Sequence, residues 1–113
     1  MSSQPRIEIQ GQAPFKQSGV YEAQISVLDT RPSDDQLRSK KFTPLWQGNF
    51  HLKVKDGIFS EIIGDSKNPL PASVDNLNSI WVVVNDLFSS VYSIFDVTLR
   101  KTSNVVETVK DVP

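Results

Sequence analysis

One segment of ten residues, 46–55, constrains the fold of this chain more than any other. Every second position carries a glycine or an apolar side chain, in the order Trp46, Gly48, Phe50, Leu52 and Val54. The positions between them are all polar. Because neighbouring residues of a strand point to opposite faces, this period of two predicts a strand with one buried face. Asp56-Gly57 follows and favours a tight turn, so residues 44–64 are predicted to form a β-hairpin.

Other segments show related patterns. Residues 20–28 alternate and predict a strand with one face in water. Residues 80–84 are apolar on both faces, which indicates a central strand or a face that meets a partner. Residues 91–99 predict a last strand, which a longer connection joins to the one before it. Residues 7–9 alternate briefly and predict an edge strand in an extended N-terminal arm.

The size of the chain limits the number of domains. A chain of 113 residues with 38% hydrophobic and 22% charged residues is typical of one globular domain. We therefore predict an all-β fold, an antiparallel β-sandwich of six to eight strands, with an OB-type Greek-key barrel as the alternative. The predicted parts are an arm at 1–18, the β-domain at 19–104, and a C-terminal edge strand or tail at 105–113.

The predicted core follows from the inward positions of these strands. It consists of Tyr21, Ala23, Ile25, Val27, Trp46, Phe50, Leu52, Val54, Phe59, Ile80, Val82, Val84, Phe95, Val97 and Leu99.

Few residues carry catalytic or metal-binding chemistry. The chain has no cysteine, and its one histidine, His51, lies on the polar face of a predicted strand, so disulfides and a structural zinc site are excluded. The acidic residues of the predicted loops, at 34–35, 65 and 86, do not follow the calcium-loop pattern. A pair such as Glu61 and Asp96 has no support from spacing. We expect no enzymatic activity, no metal and no cofactor.

Charge and hydropathy bear on the partners. A net charge of −1 makes a general nucleic-acid binder unlikely. One alternative nevertheless stays open, a small barrel that binds single-stranded nucleic acid or carbohydrate. Its basic patch would lie beside Trp46 or Tyr92 and consist of Lys40, Lys41, Lys53, Lys55, Arg100 and Lys101. The longest apolar run, residues 80–84, is too short to cross a bilayer, and the N-terminus shows no signal-peptide pattern. The compartment stays open.

A set of short motifs appears in a characteristic order: Pro44-Leu45-Trp46, Gly57-Ile58-Phe59-Ser60, Gly64, Pro69-Leu70-Pro71 and Ile80-Trp81-Val82-Val83-Val84. Over residues 19–100 this order resembles a β-sandwich module of surface and phage tail-fibre-like proteins. The resemblance implies a transthyretin-like or immunoglobulin-like fold and the role of a non-catalytic spacer or binding unit.

The function predicted from these observations is a non-enzymatic binding or assembly module that associates with a protein partner or with itself. The surplus apolar area of residues 80–84 and 91–95 would then be covered by a second copy. For another partner, the predicted site is the loop 30–43 with the connection 65–77. Leu37 and Phe42 either pin the first loop or face outward, and its cations favour an acidic partner. The predicted binding residues are Leu37, Phe42, Arg31, Arg38, Lys40, Lys41 and Trp81.

Overall fold

The computed structural model of the protein describes residues 6–99, which form an all-β fold with two short helices. The strands are β1 (Ile7–Gln12), β2 (Gly19–Leu28), β3 (Trp46–Lys55), β4 (Ile58–Ile63), β5 (Ser79–Asp86) and β6 (Tyr92–Thr98). The helices are α1 (Asp34–Ser39) and α2 (Ala72–Asp75). The predicted edge strand or tail at 105–113, together with Arg100 and Lys101, lies outside the described residues.

The six strands form one antiparallel sheet in the order β1-β4-β3-β2-β5-β6. The sheet curls until its two outer strands approach each other, and the Ser93 hydroxyl of β6 donates a hydrogen bond of 2.7 Å to the Gln12 carbonyl of β1. The prediction of an antiparallel all-β fold with six to eight strands is confirmed. The strands are joined in a single, nearly closed, barrel-like sheet, while the finer likeness to transthyretin-like or immunoglobulin-like modules stays a prediction.

The central hairpin forms as its sequence predicts. Asp56 and Gly57 have φ angles of 53° and 80°, so both occupy the left-handed region that a type I′ turn requires. Strands β3 and β4 pair only beside this turn, at Val54–Phe59 and Lys55–Ile58. On its other side β4 pairs with β1 along its whole length, from Gln12 opposite Ile58 to Ile7 opposite Ile63. The patch predicted as an edge strand of the arm is therefore part of β1 and of the sheet.

The interior of the barrel contains every residue of the predicted core, either buried or packed against the buried set. Trp46 is held there by a 2.9 Å hydrogen bond from its indole N–H to the Asn68 carbonyl. The other buried members of this interior come from β1 and the residue after it, the end of β4 and the connection that contains α2; they are Ile9, Ala13, Ile63, Leu70 and Val74. Helix α2 is a single turn, and its Val74 is buried in this interior.

A second apolar cluster lies on the outer face of the sheet. Leu28 and Val83 are buried there beneath Leu37 of α1, with Phe42 and Trp81 packed against them. The Ser33 side chain accepts a hydrogen bond from the Gln36 N–H, and the Gln36 side chain accepts one from the Ser33 N–H, which is the capping box that starts α1. The outer face of β5, expected to meet a second copy, is therefore covered by the β2–β3 connection of the same chain.

The close approach of β1 and β6 can be tested by a substitution at Gly11. A Cβ added at Gly11 would lie 2.4 Å from the Phe95 ring, which also packs against Phe59 with centroids 6.0 Å apart. We expect Gly11→Ala to lower the free energy of unfolding by about 1–3 kcal/mol, because the ring has little room to move. Gly19→Ala is the control, since its added Cβ would meet only ordinary contacts at 3.6 Å. Urea unfolding measures both, and equal stabilities of the two variants would contradict the close approach.

Candidate functional site

The apolar residues predicted to bind a partner lie in the outer cluster. Leu37 is fully buried, and Phe42 and Trp81 are half-buried against the same cluster. Of the two alternatives for Leu37, the structure shows the one in which its side chain pins the loop. With the loop in this position Leu37 is not accessible to a partner, so any recognition by this segment must use its other side chains.

The four predicted cations do not converge on one point. Arg38 pairs with Asp35 on the exposed side of α1. The Lys40 ammonium donates a hydrogen bond of 2.8 Å to the Asp86 carbonyl. Lys41 is exposed just after the helix. Arg31 differs from these three, because its side chain lines a groove. The binding role predicted for the set stays a prediction.

The groove lies where the barrel does not fully close, and we call it the seam groove. Its volume is about 450 Å³. One side is formed by residues 12–14 and Lys16, the other by Tyr92, Ser93 and Ile94 of β6, and Arg31 also lines it. Just after β1, the Ala13 N–H donates to the Gly57 carbonyl at 2.8 Å and continues the pairing of β1 with the β4 side. The groove thus combines two cations with a strand edge.

A second exposed surface lies at the tip of the β5–β6 hairpin. Phe88 is 82% exposed, and Leu87, Val91 and Val20 are also exposed. Leu87 N–H donates to the Glu22 carbonyl at 3.2 Å, which places the tip beside the start of β2, where Val20 lies on the same face as Glu22. We call these four side chains the apolar apex. The sequence contained the signal for it, since hairpin connections favour Gly, Asn and Asp rather than Leu-Phe.

The remaining candidate chemistries are dispersed over the described residues. His51 pairs with Glu22 on the outer face of β2 and β3; the His51 side chain is largely exposed and that of Glu22 is half-buried. Trp46 is buried and cannot stack on a base. The Asp65 carboxylate accepts the N–H groups of Lys67 and Asn68, so it shapes its own loop. Within residues 6–99, no three His, Asp or Glu side chains gather as a metal site would require.

Glu61 is the acidic residue with a perturbed environment. It occupies an inward position of β4 between Phe59 and Ile63, and partial burial raises its pKa. A backbone hydrogen bond at Ile62 and the charge of Lys53 lower the pKa by less. Asp96 is exposed on β6, in an outward position. The two acids therefore lie on opposite faces of the sheet and do not form a catalytic pair.

Asn85 is a buried polar residue on the outer side of β5. Its side chain is 1% exposed, and neither its amide nitrogen nor its amide oxygen has a hydrogen-bond partner among the described residues. It faces Gln24 and Tyr92 in the register of the sheet. An unpaired amide costs free energy when it is buried, so Asn85 contributes less to the stability of the outer layer than Val83 does.

Searches among protein families, curated proteins and solved structures found no match for this chain. The resemblance to tail-fibre-like modules therefore stays a prediction. Among the described residues, the helices are too short to cross a bilayer.

The buried position of Leu37 generates a prediction about stability. We expect Leu37→Ala to lower the free energy of unfolding by about 2–4 kcal/mol, because it leaves a cavity in the outer cluster. Phe42→Ala should cost less, since Phe42 is half-buried. Arg38→Ala, an exposed change on the same helix, is the control and should cost at most about 0.5 kcal/mol. Urea titration measures the free energy of unfolding of each variant. Equal decreases for Leu37→Ala and Arg38→Ala would show that Leu37 does not fix the loop to the sheet.

The raised pKa of Glu61 predicts a pH-dependent effect. A carboxyl whose pKa is higher in the folded state destabilises the fold as the pH rises above its ordinary pKa. Glu61→Gln should therefore raise the melting temperature at pH 7 and have little effect near pH 3, well below the ordinary pKa, where the carboxyl is protonated in both states. Glu8→Gln, on the outer face of β1, controls for the loss of a charge. A gain at pH 3 as large as at pH 7 would contradict burial as the cause.

Proposed function

We propose that this protein is a non-enzymatic binding and assembly module, and that it associates with a second copy of itself through the apolar apex. The observation that carries the proposal is the position of Phe88, which is 82% exposed at the end of a hairpin. Isolated apolar residues on a surface are common, but Phe88 has two further exposed apolar side chains, Leu87 and Val91, in the same hairpin connection, and exposed apolar patches are typical of contact sites.

The backbone on both sides of Phe88 is well ordered by hydrogen bonds. The Asp86 N–H donates to the Val91 carbonyl at 3.1 Å, and the Leu87 N–H donates to the Glu22 carbonyl. The Lys40 ammonium donates to the Asp86 carbonyl and ties the tip to the β2–β3 connection. A tip held in this way loses little conformational entropy on binding. The favourable free energy from burying Phe88 is therefore offset only slightly by the cost of ordering the chain.

The surroundings of the apex favour a second copy as the occupant. Glu22 and Asp86 lie beside the apex together with His51 and Lys40, so the rim contains charges of both signs. A mixed rim around an apolar centre matches itself under a two-fold axis, whereas a partner of one strong charge would match it poorly. The net charge of −1 adds little repulsion between copies.

The small size of the apex sets the expected affinity. Four side chains offer well below the roughly 800 Å² per partner of a standard interface, so the dimer should be weak and form at about 100 μM or above. The resemblance to surface and tail-fibre-like modules supports the same proposal, because modules of that class act as spacers or binding units within larger assemblies. There, linked copies raise the local concentration.

Replacement of Phe88 tests the proposal. The weight-average mass from sedimentation equilibrium should rise with concentration for the unmodified chain, and Phe88→Ser should abolish the rise because it removes the centre of the apolar contact. Unfolding by heat should be unchanged, since Phe88 has almost no packing to lose.

The matched control for this test is Ile62→Ser, which removes a 57% exposed apolar side chain from the outer face of β4, away from the apex. It should associate like the unmodified chain. A chain that stays monomeric at about 1 mM, or a Phe88→Ser variant that associates equally well, would overturn the proposal.

A further inference from the structure

We propose that the seam groove binds an acidic, extended peptide segment of a partner protein, which pairs with the edge of β6 that has no strand neighbour among the described residues. This site goes beyond the proposed self-association, because it lies on another surface and uses hydrogen bonds and charge rather than apolar burial. Three features support it, namely the direction of the backbone groups of β6, the place where the barrel opens, and the charges around the opening.

The backbone of β6 presents hydrogen-bonding groups to the groove. The bond from the Asp86 N–H to the Val91 carbonyl fixes which residues face β5, and Ser93 therefore pairs inward with Val84. In an antiparallel ladder the residues between such pairs point their N–H and C=O groups the other way. The backbone groups of Tyr92 and Ile94 thus point toward the seam, where the described part of β1 forms no ladder with β6.

The opening is confined to the first residues of β6. At Gly11, β1 lies against the Phe95 ring, which leaves no space for another strand. At Ala13 the chain still follows β4 through the bond to the Gly57 carbonyl, and the groove lies beside Tyr92 and Ile94, which flank Ser93. The Ser93 hydroxyl donates to the Gln12 carbonyl and holds the two sides of the groove together at this point. Its volume of about 450 Å³ is that of a ligand site and suits a short extended segment. Addition of such a segment to an exposed strand edge is a common mode of peptide recognition.

The charges around the groove select an acidic segment. Lys16 and Arg31 line it, and none of its lining residues is acidic. Arg31 also lies 3.4 Å from Asp34, but both side chains are exposed and such a pair is weak. Asp96 follows Ile94 on the same outward face of β6 and would repel a carboxylate. The acidic side chains of the ligand should therefore lie near Tyr92 and Arg31.

The probe is a fluorescein-labelled peptide of alternating Glu and Val, titrated into the full chain and followed by fluorescence anisotropy and by the amide NMR signals of the protein. Binding should shift the signals of Tyr92 and Ile94. Arg31→Gln and Lys16→Gln should each weaken binding about threefold, as loss of an exposed charge pair predicts. Lys67→Gln, the same change of charge in the β4–β5 connection, should leave the affinity unchanged.

Three comparison ligands separate the alternatives. A backbone N-methylated version of the peptide lacks donors and should bind weakly, whereas equal binding would overturn strand addition. A peptide of alternating Lys and Val should not bind, and equal affinity would overturn the selection for acids. A (dT)8 oligonucleotide that binds more tightly than the acidic peptide would overturn the proposal in favour of nucleic acid.

Absence of acidic-peptide binding at millimolar concentration would also overturn the inference. Its failure and that of the proposed function are distinguishable, because Phe88→Ser should abolish self-association while it leaves peptide binding unchanged.

Discussion

Strand β5 carries apolar side chains on both faces, and each face requires its own cover. Ile80, Val82 and Val84 are covered by the curling of the sheet, which brings β1 and β6 together around a closed interior. Val83 on the other face is covered by Leu37, which only a long connection between β2 and β3 can bring there. The curvature of the barrel thus buries one apolar face of β5, and the length of that connection allows burial of the other.

The surfaces open to partners are those that remain after this cover is in place. The loop 30–43 is occupied with the outer cluster, so its apolar side chains serve stability. The hairpin tip at Phe88 is exposed, and among the described residues the outer edge of β6 has no strand neighbour. An exposed strand edge is a liability that proteins usually cover or charge. Here Lys16 and Arg31 provide the charge, and the same charges give the edge its selectivity.

Local features were predictable from the sequence, and long-range ones were not. Period-two alternation identified the strands and all fifteen core residues, because inward positions recur within each strand. The Ser33 and Gln36 side chains carried the signal for α1, yet six residues are too few to show a helical stripe. Neither the pairing of β1 with β4 nor the gap beside β6 has a local signature. The seam groove depends on two distant strands that do not pair, and the apex depends on Phe88 remaining uncovered by the rest of residues 6–99.

The order of the strands in the sheet has a consequence for how the protein is made. Among the described strands β1 pairs only with β4, which follows later in the chain, after β2, α1 and β3. During synthesis β2 and β3 can pair as soon as both have emerged, whereas β1 stays unpaired until β4 has emerged. Such non-local pairing places barrels among slowly folding proteins, on the scale of milliseconds to about a second. The polar outer residues of β1, Glu8, Gln10 and Gln12, keep this waiting segment from joining the wrong strand.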